Sequence, residues 1–370
     1  MKNLPLMVPS INENDIEAVV KVLRSGMLVQ GKHVLELENK IANLANTKYA
    51  VAVSNGTATM HLILVALGIG VGDEIILPAF SYIATANVIE LVGATPVFID
   101  IDSATNNIDI SKIEAVITNN TKAIMPVHEF GLAANITQIM EIATKHQLHV
   151  IEDAACALGA TENKKPVGGF GIAGSFSLHP RKNVTSGEGG VITTNDENLY
   201  HTLRTLRNHG VDSKSESMDF ILPGFNYRLT DFQAALVNSQ INRIEEMAAK
   251  KRLLAAIYLE ELKNEEILLP FIDENKNHTW QTFHILLPHH CNRELLIQKL
   301  SQKGIGSNYG AQCIPAQTYY FNKYKLNSAK EFPHAYNAFT KGLALPIYEK
   351  LEEEDIIYIA NTLKDCINHA

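Results

Sequence analysis

Three short stretches of this chain hold residue types that could do chemistry together. SFSLHPRKNVTSGEGG (175–190) carries one lysine, Lys182, among hydroxyls, glycines and a histidine. A lysine amine becomes a nucleophile when its surroundings lower its pKa, and its main use is then covalent union with a carbonyl carbon. VIEDAACALGA (150–160) puts Glu152 and Asp153 at the end of an apolar run, where a carboxylate can meet a ligand cation or a metal. The alanines that follow leave room for a flat ring against the backbone. SNGTATMHL (54–62) opens a helix directly after another apolar run. Gly56 permits close backbone approach, Ser54, Thr57 and Thr59 offer hydroxyls, and the free N–H groups of a helix start attract phosphate.

Each stretch has an ordinary structural reading as well: a capped helix, an acid at a helix start, a lysine on a surface. Their conjunction is what matters. A phosphate cradle, a carboxylate and an amine, in that chain order, are what pyridoxal 5'-phosphate (PLP) needs for its phosphate, its pyridine nitrogen and its aldehyde. The chain has neither the GxGxxG pattern nor a GKS/GKT ending at the cradle, so dinucleotide and P-loop readings are weak.

The elements that must position these groups are legible in the pattern. Asn14 can cap a first amphipathic helix carrying Ile16, Val19, Val20 and Leu23 before Gly26, and Val34, Leu37, Ile41 and Leu44 mark a second. Short apolar runs then alternate with helical stretches: YAVAV, a helix over 57–67, EIIL, a helix from Tyr82, TPVFID, KAIMPV and LHVIED. Runs with little polar alternation predict strands buried on both faces, and strand–helix repetition predicts a mainly parallel sheet wrapped by helices. A long helical stretch from Thr230 reads as a connector. Beyond it the texture is α+β, with TWQTFHILL as a strand, RELLIQKLSQKG as a helix ending at Gly304 and EEEDIIYIANTLKDCI as a closing helix. The expected organisation is a large α/β domain over 1–245 and a smaller α+β domain over 246–370, with the N-terminal helix able to pack on the smaller one.

Composition narrows the function. The 370 residues are 46% hydrophobic and 19% charged, with a formal net charge of -8 and no lysine or arginine cluster, which argues against nucleic acid. No apolar run approaches a membrane span and no signal peptide is visible. Cys156, Cys291, Cys313 and Cys366 are scattered without metal spacing, as expected for reduced thiols in a cytoplasmic protein. No metal site is expected.

These stretches, with GDEIILPAFSYIATAN, GATPVFIDID, PVHEFG, LRNHG, GFNYRLTDFQAAL and LPIY, span nearly the whole length. They resemble the DegT/DnrJ/StrS family of PLP-dependent nucleotide-sugar aminotransferases. The resemblance implies the aspartate aminotransferase-like type I fold and a homodimer with shared active sites. It implies that Lys182 holds the aldehyde and that Asp153 pairs with the ring nitrogen. Gly56, Thr57, Ala58 and Ser177 would cradle the phosphate, Tyr82 and Ala155 would cover the two ring faces, and Asn226 would reach the partner subunit's phosphate. His179, Glu188, Tyr309 and Gln312 are candidate substrate contacts. The implied reaction moves an amino group from L-glutamate to a nucleotide-linked 4-keto-6-deoxyhexose for surface glycan synthesis. A 3-keto sugar nucleotide is the alternative, and a non-catalytic binder of PLP or a sugar nucleotide is the rival of another class. Two departures stand out: Cys156 occupies a position often held by glutamine or histidine, and no histidine follows the GIG turn at 304–306. One branch of the family replaces the lysine with histidine, and Lys182 separates this chain from it.

Overall fold

The structure is a computed structural model describing residues 2–214, 218–263 and 265–367. Among these, seven strands form a central sheet: β1 (Tyr49–Val53), β2 (Glu74–Pro78), β3 (Thr95–Ile99), β4 (Thr121–Ile124), β5 (His149–Asp153), β6 (Ala173–Ser177) and β7 (Gly190–Thr194). Their spatial order is β1-β7-β6-β5-β4-β2-β3. β7 runs antiparallel to both neighbours, and every other pairing is parallel.

The connecting helices are α1 (Glu13–Ser25), α2 (Lys32–Leu44), α3 (Gly56–Ala66), α4 (Ala84–Leu91), α5 (Ile136–His146), α6 (Glu197–Arg207) and α7 (Asp231–Ile241). They cover both faces of the sheet. Ile75 and Leu77 of β2 pack with α3 and α4 on one side, while Ile76 meets α5 on the other. Ala50 and Ala52 of β1 face α2 and α7. Two covered faces explain why the strands read as unbroken apolar runs. Each fully buried Leu or Ile contributes about 1.5–3 kcal/mol, so this double burial is the main source of the fold's stability.

A second core gathers α8 (Ile244–Leu262), α9 (Arg293–Gln302) and α13 (Glu353–Ile367) around the antiparallel pair β8 (Phe283–Leu286) and β9 (Gly342–Leu345). Between α9 and β9 lie α10 (Thr318–Tyr324), α11 (Ser328–Glu331) and α12 (Pro333–Lys341). Tyr320, Phe332, Ala335 and Ala338 from this stretch join the first core, and Asp100 accepts the Ala335 N–H at 2.8 Å. This part of the C-terminal third therefore packs on the sheet rather than within the second core.

Three expectations are corrected. The helical stretch from Thr230 is two helices, broken at Asn242 and Arg243, where Arg243 turns its guanidinium 2.7 Å from the buried Asp15 carboxylate. Asn12, not Asn14, caps α1, through a reciprocal capping box with Asp15. That same Asp15–Arg243 pair seats α1 against α7, away from the second core. The chain ahead of α1 makes the contact expected of the helix: Leu4 pairs with Ile305 and buries its side chain in the second core. No helix of the described residues is long and apolar enough to cross a membrane.

Candidate active site

The parallel strands end at a cavity of about 780 Å³. β5 delivers Asp153 to it and turns Glu152 to the opposite face, as strand alternation requires. Glu152 is a buttress. It accepts the N–H groups of Gly168 (2.7 Å), Phe170 (2.7 Å) and Gly171 (2.9 Å), and faces His128 Nε2 at 3.1 Å. His128 Nδ1 accepts the Ala134 N–H, so Nε2 carries the proton and donates to Glu152. Burial works against the Glu152 charge, but these donors outweigh it and hold the carboxyl below its ordinary range.

Asp153 is 4% exposed. Thr85 Oγ1 donates to its Oδ2 at 2.8 Å and the Ala155 N–H donates to Oδ1 at 3.2 Å, which fixes the carboxylate plane. Burial raises its pKa, outweighing those two donors and the nearby Lys182 charge.

Lys182 sits in the loop between β6 and β7, and the hydroxyls around it hold that loop. Thr185 Oγ1 donates to Leu178 O, and Gln240 pairs with the Thr185 backbone in both directions. Buried Lys251 donates to Asn183 Oδ1 at 2.8 Å. Lys182 Nζ donates to Cys156 Sγ at 2.9 Å. Burial lowers its pKa, yet the pull of Cys156, Asp153 and Glu129 outweighs burial and raises it. This differs from the depressed lysine expected from sequence. The cause is the crowd of acids, of which only Asp153 was visible as a site residue.

The start of α3 approaches Ser177 closely. A Cβ built on Gly56 would lie 2.8 Å from Ser177 Cβ and 3.0 Å from Oγ. Asn55 is the helix cap and takes the Ala58 N–H at 2.8 Å, so the helix start already satisfies one of its donors. Gly56, Thr57 and Ala58 line the cavity here together with Ser177. Tyr82, Ala155, His179 and Glu188 line it as well. Burial, helped by Arg181, lowers the His179 pKa and favours the neutral ring.

Two substrate candidates are placed elsewhere, and Asn226, expected at the partner subunit's phosphate, does not line this cavity. Asn226 is exposed and bridges Asn208. The Tyr309 ring turns outward, edge-on to Phe339 and 5.8 Å from the Arg293 guanidinium. Gln312 follows it, its Nε2 3.4 Å from the Tyr309 hydroxyl. The left-handed Gly310 carries the backbone under His284 and Phe130, and Asn308, Gly310 and Ala311 line the cavity while Tyr309 and Gln312 do not. Sequence reasoning passed over His61, Thr85 and Glu129, all of which line the cavity. Glu129 was findable by the same rule as Asp153: it is an acid just beyond the carboxyl end of an apolar strand.

A half-buried amine, a buried carboxylate and a helix start narrowed by a side-chain-free residue fit PLP in size and in donor set. Residues 9–364 match the family described as DegT/DnrJ/EryC1/StrS aminotransferases. The chain belongs to that family. Among relatives of this sugar aminotransferase, GDP-perosamine synthase of Escherichia coli O157:H7 is 36% identical, over 99% of each chain. The spore coat polysaccharide biosynthesis protein SpsC of Bacillus subtilis is 33% identical, over 99% of this chain and 98% of its own. The PLP-form structure of Spr1654 from Streptococcus pneumoniae superposes with a TM-score of 0.94 at 29% identity, covering 100% of this chain and 99% of that one. The family and this likeness give the enzyme its type I fold, its aminotransferase activity and its cofactor, PLP.

Proposed function

We propose that this aminotransferase moves an amino group from L-glutamate to the C-4 keto group of a nucleotide-linked 4-keto-6-deoxyhexose, for synthesis of a surface glycan. The observation that carries the reading is the convergence of Lys182, Asp153 and the Gly56–Ser177 approach on one cavity large enough for a cofactor and a sugar. The substrate class follows the relative named for a GDP-linked amino sugar, and the destination follows the relative named for spore coat polysaccharide.

Bound PLP supplies an aldehyde that carries nitrogen between the two substrates and a ring that takes up the electrons of a broken C–H bond. The chain's residues do the rest. Lys182 holds the aldehyde carbon through Nζ. The same Nζ would take up and return the proton of the reacting carbon, as general base and acid. Asp153, oriented by Thr85 and the Ala155 N–H, keeps a proton on the ring nitrogen. The N–H groups at the start of α3 and the Ser177 hydroxyl bind the phosphate. Tyr82 and Ala155 cover the ring's faces and exclude water. His179 and Glu188, at the cavity wall, contact the sugar nucleotide. In a homodimer, exposed Asn226 serves the phosphate of the second subunit's site.

The test is amination of a panel of 3-keto and 4-keto sugar nucleotides with glutamate, read by product mass. The expected result is product from 4-keto-6-deoxy sugars only, and none with Lys182→Ala, which also lacks the visible band of the bound cofactor. Product from 3-keto sugars alone moves the position of amination. A cofactor band with no product from any keto sugar sinks the substrate reading.

A further inference from the structure

Glu129 is a second acid in the cavity, and the reaction as described leaves it without a task. It is 4% exposed, and its Oε2 is buried with no hydrogen-bond partner. The chain goes to some length to keep it there. The Glu129 N–H donates to Asn107 Oδ1 at 2.9 Å. The next residue, Phe130, adopts the left-handed region at φ 55°, uncommon for an aromatic side chain. A second left-handed residue, Trp280 at φ 48°, lies in the segment clasped to it: Gln281 N–H donates to Phe130 O at 3.0 Å and Thr279 N–H to Gly131 O at 3.1 Å. Strain fixed by surrounding structure gathers where a side chain must be held in place.

Strand order gives the direction from which Glu129 enters. β5 ends in Asp153. On one side of it β6 ends in Ser177, beside the start of α3 that binds phosphate. On the other side β4 leads through residues 125–128 to Glu129. In PLP the phosphate arm and the phenolic oxygen stand on opposite sides of the axis from ring nitrogen to aldehyde carbon. With Asp153 at the nitrogen and the phosphate on the β6 side, the phenolic edge faces the β4 side. Cys156 also lines the cavity, but its thiol is a weak donor.

We propose that Glu129, carrying its proton, donates a hydrogen bond to the phenolic oxygen of PLP and so tunes the proton affinity of the nitrogen that joins the cofactor to Lys182. This rests on the cofactor placement proposed above. The groups facing Glu129 agree with it. Burial, helped by the nearby Asp153 charge, pushes the carboxyl up to about 8 despite Lys182, so the acid is neutral at pH 7. Cys156 is raised by burial and stays a thiol. Behind the loop, burial keeps His278 and His284 uncharged, at about 3. A neutral acid can donate to an anionic oxygen where a carboxylate would repel it.

The experiment compares holoenzyme with Glu129→Leu and Glu129→Gln, following the bound cofactor's visible band against pH and measuring the PLP dissociation constant. A donor withdraws charge from the phenolic oxygen, so removing it raises the midpoint of the band's pH change. Glu129→Leu moves that midpoint up by about one pH unit, a tenfold change in proton affinity, while Glu129→Gln, which keeps an N–H donor, stays within about 0.3 unit. A Leu variant that binds PLP with the parent's midpoint overturns the proposal and leaves the placement standing. If Asp153→Asn leaves the parent's PLP affinity and band unchanged, the placement itself fails and takes this inference with it.

Discussion

Gly56→Ala is the sharpest probe of the cradle, because its two effects have opposite signs. Gly56 opens α3 with a backbone that any residue adopts, so alanine there stabilises the helix by about 0.4–1 kcal/mol through the unfolded chain. Against this, the new methyl would stand 2.8 Å from Ser177 Cβ. Rotating the serine about χ1 moves Oγ but leaves Cβ in place, so relief must come from the main chain of β6 or α3. Overpacking of this kind costs about 1–3 kcal/mol, which exceeds the helix gain over most of that range. Whichever element yields, the gap between helix start and Ser177 opens, and phosphate contacts lengthen. If the whole strain falls on binding, 1–3 kcal/mol corresponds to a loss of about 5- to 150-fold in PLP affinity. Titration of the apoprotein with PLP, followed by visible absorbance, measures this directly. Ser177→Gly removes both the Cβ and the hydroxyl and weakens binding on its own account. In that background the Gly56→Ala methyl meets nothing closer than the residue-177 Cα, at an ordinary 3.4 Å, and lowers affinity by less than about 3-fold, so the two changes couple. An equal loss in both backgrounds, or no loss in either, would refute the steric reasoning.

Two further outcomes concern the acids around the site. Glu152→Ala strips His128 and three backbone N–H groups of their shared acceptor, and removing one partner of such a buried cluster costs about 3–5 kcal/mol, read as a lower urea midpoint; an unchanged midpoint would show the cluster to be dispensable. The Glu129 carboxyl ordinarily titrates at 4.5 and is raised to about 8 in the folded protein, so between those values the native state holds a proton that the unfolded chain has lost. Stability therefore falls as pH rises through that window. Glu129→Gln removes this dependence, so the melting temperature of its apoprotein equals the parent's near pH 4, exceeds it increasingly up to about pH 8, and keeps a constant lead above. A pH-independent difference between the two would place the native proton elsewhere.

What the sequence disclosed, and what it withheld, follows from the range of the forces involved. Lys182 and Asp153 were legible because local pattern positions them: a strand that is apolar on both faces ends in an acid, and a loop dense in hydroxyls and glycines follows the next strand. The parallel sheet was legible for the same reason. Side-chain direction was not. Tyr309 and Gln312 lie in the right segment, but a left-handed Gly310 delivers the backbone to the cavity, while the Tyr309 ring meets Arg293 and Phe339 and the Gln312 amide meets the Tyr309 hydroxyl. The break between α7 and α8 depends on Arg243 reaching Asp15, more than two hundred residues away. Glu129 shows the limit most clearly. In PVHEFG it reads as an acid just beyond an apolar strand, which gives its place near the strand ends but neither its burial nor its proton. What makes it a buried, proton-holding group is the clasp between Phe130 and Trp280, two strained residues 150 positions apart that specify each other only after the chain has folded. The lysine's raised pKa has the same origin, since it is set by acids that β4 and β5 bring to it. A sequence can thus name candidate groups, while the proton each one holds is a property of the assembled cavity.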